Sequence, residues 1–121
     1  MACKQAVDSA FAVHKALGPG LLESVYEECL CYELTSRGID TPRQVQQPLT
    51  YKKVRLASGY RLDVLVGGLL VIEVKAVEVL LPVHTAQLLT YLKLSDFRMG
   101  MLINFNVPLI RDGIRRLIKP V

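Results

Sequence analysis

The chain has 121 residues, below the ~150 typical of one domain, which excludes a multidomain machine and predicts a single folded unit. Hydrophobic residues make up 51% and charged residues 21%, with 8 glycines and 6 prolines, a composition that builds a core and excludes a disordered or collagen-like chain. With 15 Lys and Arg against 11 Asp and Glu, the formal charge of +4 permits polyanionic partners while falling well short of histone-like charge.

The most apolar stretch, Leu62 to Leu81, is interrupted by Asp63, Glu73, Lys75 and Glu78, so no run reaches the ~18 residues of a membrane span. Met1 to Asp8 lacks the basic start, apolar middle and small-residue cleavage site of a secretory signal, and a cytoplasmic protein is expected. The three cysteines, Cys3, Cys29 and Cys31, form no CxxC pair and have no histidine at ligand spacing. Neither a disulfide framework nor a zinc site is indicated, and small core or boundary roles are expected.

Val7, Phe11 and His14 at helical spacing predict a first helix over Lys4–Leu17, ended by Gly18-Pro19-Gly20. A second helix over Leu21–Arg37 carries the apolar stripe Leu22, Val25, Tyr26, Cys29, Leu30 and Leu34, with Gly38 as a left-handed cap. A first strand is predicted within Gln46–Arg55, and Tyr60–Val66 and Leu69–Ala76 read as two strands joined through Gly67-Gly68. A third helix is expected over Val83–Ser95, a strand over Met99–Phe105, and a short strand or helical turn over Gly113–Ile118.

Along the glycine-linked pair, Tyr60, Leu62, Val64 and Val66 share one parity, as do Leu70, Ile72, Val74 and Ala76. The charged residues Arg61 and Asp63, and Glu73 and Lys75, take the other face. If both apolar faces lie on one core, opposed residues must have an even sum. A two-residue Gly67-Gly68 turn fails that test, because it would set Asp63 opposite Ile72. A three-residue loop from Gly67 to Leu69 satisfies it, pairing Val66 with Leu70 and Asp63 with Glu73. Two adjacent carboxylates repel, and with only oxygen donors to hand they call for Lys75 or a bound Mg²⁺ or Mn²⁺ as counter-charge. A plain Asp63–Glu73–Lys75 ion cluster on an exposed sheet face is the alternative.

Several of these residues also resemble a family. Gly20-Leu21-Leu22-Glu23-Ser24-Val25-Tyr26 is similar to the GxxExxY signature, and Asp63 with Glu73-Val74-Lys75 to the D…ExK core of the PD-(D/E)XK nuclease-like superfamily. Gln87 and Tyr91 resemble its QxxxY helix, and Leu102-Ile103-Asn104-Phe105 its later strand. The resemblance spans about Val13 to Ile118, with Leu62 in place of the superfamily's proline. It implies a restriction-endonuclease-like αβββαβ core, an α/β fold with a mixed sheet flanked by helices. It further implies that Asp63, Glu73 and the Val74 carbonyl bind Mg²⁺ or Mn²⁺, that Lys75 positions or activates the attacking water, and that Glu23 and Gln87 assist.

Each of these residues also has an ordinary reading. Glu23 complements a helix dipole, Tyr26 and Tyr91 read first as core aromatics with a wet hydroxyl, and Gln87 bridges or caps a strand edge. Neither His14 nor His84 is read as a base. Arg111, Arg115 and Arg116, with Lys119, concentrate positive charge near the C-terminal end, as a solvated face or as contacts to nucleic-acid phosphate; Arg61 joins them as a candidate contact. The expected function is a metal-dependent nuclease acting on DNA or RNA. A non-catalytic nucleic-acid-binding module is one alternative. Another is a homodimeric interaction protein built on the Met99–Phe105 strand or the apolar helices.

Overall fold

A computed structural model describes the backbone of residues 1–121 and every side chain except that of Ser58. Helices α1 (Ala2–Leu17) and α2 (Glu23–Ser36) precede strands β1 (Arg43–Tyr51), β2 (Val54–Val66) and β3 (Leu70–Lys75). Helix α3 (Pro82–Leu94), strand β4 (Met99–Asn104), a 3-10 turn (Ile110–Gly113) and strand β5 (Ile114–Ile118) complete the order. The five strands form one sheet in the order β1-β2-β3-β4-β5. Strands β3 and β4 run parallel and all other neighbours antiparallel. The α3 crossover is what a parallel β3–β4 pair requires, and the whole is a mixed-sheet α/β arrangement of restriction-endonuclease type.

Both faces of the sheet are covered. Ala6, Ala10 and Val13 of α1 and Tyr26, Leu30 and Leu34 of α2 pack with Val64, Val66, Leu70, Ile72, Val74, Met101, Ile103 and Phe105. On the other face Leu88 and Leu92 of α3 pack with Leu62, Val71 and Leu102. Gly100 lets α3 approach closely, since a Cβ there would meet Leu92 Cδ1 at 3.1 Å. Helix α2 ends as expected at Gly38, which has φ 79°. The Ile39 amide donates to the Leu34 carbonyl and the Gly38 amide to the Thr35 carbonyl, which satisfies the orphan acceptors of the last turn.

The hairpin register is the one the parity argument requires: Val66 opposes Leu70, Leu65 opposes Val71 and Val64 opposes Ile72. The Leu69 amide closes the loop onto the Val66 carbonyl at 3.0 Å. Gly67 and Gly68 both sit in the left-handed region, at φ 59° and 70°.

Four expectations need correction. The strand placed within Gln46–Arg55 is really the tip of a long hairpin, because β1 ends at Tyr51, Lys52 turns the chain at φ 55° and β2 begins at Val54. The even positions of β2 do not all face one core: Tyr60 and Leu62 pack on the α3 side, and Val64 and Val66 on the α1–α2 side. The strand changes sides at Asp63, beside Gln44 at φ 51° in β1. In α2 the buried stripe is Tyr26, Glu27, Leu30, Cys31 and Leu34, while Leu22 and Val25 are exposed. Strand β4 lies inside the sheet with β3 and β5 on its flanks, so its backbone is already paired on both sides and offers no edge to a second chain. Among the described residues no helix is long and apolar enough to cross a membrane.

Gly68→Ala forces a left-handed alanine and should destabilise by about 1–2 kcal/mol. Deleting Gly68 leaves a two-residue loop that sets apolar against charged faces, so this variant should lose cooperative thermal unfolding altogether.

Candidate active site

Asp63 and Glu73 sit where β2 and β3 part. Their ladder ends at the Val64–Ile72 pair; beyond it β2 continues with β1, and β3 with β4. The next opposed positions in that register are Asp63 and Glu73. In place of a backbone carbonyl, Asp63 Oδ2 accepts the Val74 amide at 2.8 Å. The N–H and C=O of one extended residue point to the same side of a strand, so the Val74 carbonyl faces the same gap. Lys75, by contrast, turns its carbonyl to β4, where it accepts the Phe105 amide at 3.0 Å.

The electrostatics of the gap are dominated by burial. Glu73 is 9% exposed; burial, and then the neighbouring Asp63 charge, push its carboxyl up to about 7, while Lys75 opposes the shift. Burial also raises Asp63, against the stabilising Val74 amide, and the Glu27 and Glu23 charges add to the rise. Lys75 Nζ lies 4.0 Å from Glu73 Oε2. One ammonium at that distance leaves two partly buried carboxylates undercompensated.

Glu73 and Asp63 Oδ1 accept no hydrogen bond among the described residues. The gap therefore presents carboxylate oxygens and one carbonyl, a hard donor set that fits Mg²⁺ or Mn²⁺ and contains no sulfur or imidazole. Among the described residues no group of three His, Cys, Asp or Glu side chains could hold a metal ion, so any coordination shell here is completed by the Val74 carbonyl and water.

Other candidate residues gather at the same place. Glu23 is exposed in the first turn of α2, close enough for its charge to raise both carboxylates. Tyr91 of α3 is half-buried; burial and the Glu73 charge raise its phenol. Its ring stacks on Tyr60 with centroids 3.9 Å apart, and its hydroxyl accepts Gln87 Nε2 at 2.6 Å. Gln87 is exposed and reaches the site through this phenol.

Tyr26 is fully buried and stacks on Phe105 with centroids 4.6 Å apart. Its hydroxyl donates to the Gly18 carbonyl at 2.6 Å and accepts the Leu21 amide at 3.1 Å. The tyrosine thus pins the α1–α2 connection that carries Glu23, and its hydroxyl is bonded to backbone rather than to water. The arginines do not gather into one patch. Arg61 is exposed on β2, opposite Gln46, and Arg111 lies in the 3-10 turn. Arg115 and Arg116 oppose Leu102 and Met101, which belong to different faces of the sheet.

Two polar residues escape a sequence reading. Glu27 is buried one turn beyond Glu23; its Oε2 accepts Arg43 Nη2 at 2.8 Å and its Oε1 accepts Gln44 Nε2 at 2.7 Å. It ties α2 to the segment of β1 beside the fork, and its i, i+4 spacing from Glu23 was the available signal. Asn104, 2% exposed, accepts the Val77 and Asn106 amides and donates to the Val77 carbonyl, fixing the chain as it leaves Lys75. The two histidines also have structural work. His14 Nε2 lies 2.8 Å from the Val107 carbonyl, and His84 Nδ1 accepts the Leu81 amide at the start of α3.

In comparisons with known proteins, the family model of the PD-(D/E)XK nuclease superfamily matches residues 1–117. No curated protein and no solved structure matches the chain.

The raised carboxyl of Glu73 has a measurable consequence. Its folded value of about 7 lies above the ordinary 4.5, so the folded chain holds the extra proton between those limits and loses stability as pH rises through that window. In chelator, urea unfolding should show a decline of at most about 3 kcal/mol from pH ~4.5 to ~7. Glu73→Gln should flatten this decline and be the more stable protein above pH ~7; an unchanged profile would contradict the placement of Glu73.

Proposed function

Because the chain belongs to the PD-(D/E)XK nuclease superfamily, matched over residues 1–117, we propose that it is a metal-dependent phosphodiester hydrolase acting on DNA or RNA. The observation that carries this reading is the pair of carboxylates, Asp63 and Glu73, held against each other at the strand fork with Lys75 as their nearest cation. Folding tolerates that repulsion at a cost in stability, and such sites are where chemistry concentrates.

Asp63, Glu73 and the Val74 carbonyl would hold Mg²⁺ or Mn²⁺, which when bound lowers the pKa of its water and offsets charge developing on the phosphodiester. The Lys75 ammonium, on the strand that carries Glu73, donates hydrogen bonds to the incoming water and holds it in line with the phosphorus. Glu23, at the exposed start of α2, accepts a hydrogen bond from the same water and steers its lone pair. Gln87 acts through Tyr91: the amide fixes the phenol, and the Tyr60–Tyr91 stack holds α3 against the β2 arm. The exposed arginines supply sequence-independent attraction to phosphate.

The experiment is a cleavage assay on single- and double-stranded DNA and RNA with Mg²⁺ or Mn²⁺. Asp63→Ala and Lys75→Ala should each lower the rate by about 10²-fold or more. Cleavage that survives both substitutions, or salt-sensitive binding without any cleavage by the unmodified chain, would overturn the hydrolase reading.

A further inference from the structure

A groove of about 610 Å³ runs between the C-terminal half of α1 and the 3-10 turn, within the ~300–1,000 Å³ range of ligand sites. Its lining is largely apolar, with Phe11, Pro108, Leu109 and Ile110, and includes the cations Lys15 and Arg111. Phe11 is 45% exposed, although it lies at the helical spacing of a core residue. The contact between His14 Nε2 and the Val107 carbonyl ties the two sides together, so the groove is preformed. Lys15 makes no ion pair or hydrogen bond among the described residues, and Arg111 only approaches Asp112, at 4.0 Å with both side chains exposed, a contact of little strength.

The groove-lining segment Pro108–Arg111 follows the end of β4, whose last residue, Asn104, pairs with Lys75 at the end of β3. The Lys75 carbonyl bonds to Phe105, Phe105 stacks on Tyr26, and Tyr26 bonds to Gly18 at the end of α1. These contacts place the C-terminal ends of α1, β3 and β4 together. Resting on the hydrolase reading above, we infer that this groove is a subsite for one unpaired nucleotide of a single-stranded nucleic acid. The base lies against Phe11 and the rest of the apolar lining, and Lys15 and Arg111 take the flanking phosphates. An aromatic ring and cations lining one groove are the means by which single strands are held without sequence preference, whereas a paired base offers no free face to stack.

Binding of a fluorescein-labelled oligothymidylate, followed by anisotropy in EDTA so that no metal supports cleavage, tests the subsite on the intact chain. Phe11→Ala should weaken binding about tenfold and leave its salt dependence unchanged. Lys15→Glu and Arg111→Glu should weaken binding and make the dependence of log Kd on log salt shallower, by at least about 0.7 each. A duplex of the same length should respond to the charge reversals and not to Phe11→Ala. Circular dichroism melts, expected to be unchanged, separate loss of binding from loss of fold.

The inference is overturned if the unmodified chain fails to bind, if the three variants bind as it does, or if Phe11→Ala weakens single strand and duplex alike. It is also overturned if oleate binding, and not oligonucleotide binding, responds to these substitutions, which would make the groove a site for an amphiphilic anion. These binding outcomes are read apart from the hydrolase reading, which is decided by metal-dependent cleavage by the unmodified chain and its loss in Asp63→Ala and Lys75→Ala.

Discussion

The Val74 amide is claimed by a carboxylate where a continuing sheet would offer a carbonyl. That hydrogen bond, 2.8 Å from Val74 N to Asp63 Oδ2, lies where β2 leaves β3 to pair with β1, and it draws Asp63 into a gap already facing Glu73. Burial then acts on both acids at once and, with the Asp63 charge adding to it, lifts Glu73 to about 7. An ion cluster serving only stability would bring its cation closer than the 4.0 Å of Lys75 and would leave fewer carboxylate oxygens without donors.

The surroundings hold this gap open by means that lie outside it. The β1–β2 arm carries its apolar side chains to opposite faces of the sheet before and after Asp63, so the fork is a twist in the ribbon as well as a divergence. Glu27 grips Arg43 and Gln44 on the β1 side. Asn104 grips Val77 on the β3 side. Tyr26 and Phe105, stacked between them, join the α1–α2 connection to the end of β4. The rigid elements thus fix where the carboxylates are, and exposed residues such as Glu23 and Gln87 are brought to the rim.

Much of this was legible in the sequence, for reasons that differ from residue to residue. The hairpin register followed from parity alone, because a one-residue slip inverts every side chain and Asp63 cannot face Ile72. The change of side at Asp63 was not legible: helices cover both faces, so apolar residues suit either one and alternation no longer marks the core. The turn between β1 and β2 escaped because Lys52 takes a left-handed conformation that ordinarily belongs to glycine or asparagine. The second-half arginines cluster along the chain yet alternate between faces once β5 is extended, so adjacency in sequence did not become adjacency in space. Glu27 was hidden by its type, an acid at a buried helical position whose partners come from a distant strand.

The central claim is that the fork is built to hold a divalent cation between its two carboxylates. A crystal of the chain soaked in Mn²⁺ and read by anomalous scattering addresses it directly. The account predicts one peak in the gap, about 2.1–2.3 Å from oxygens of Asp63, Glu73 and the Val74 carbonyl, with water completing the shell. Density without a peak there, with Glu73 turned to Lys75 as a simple ion pair, would contradict it.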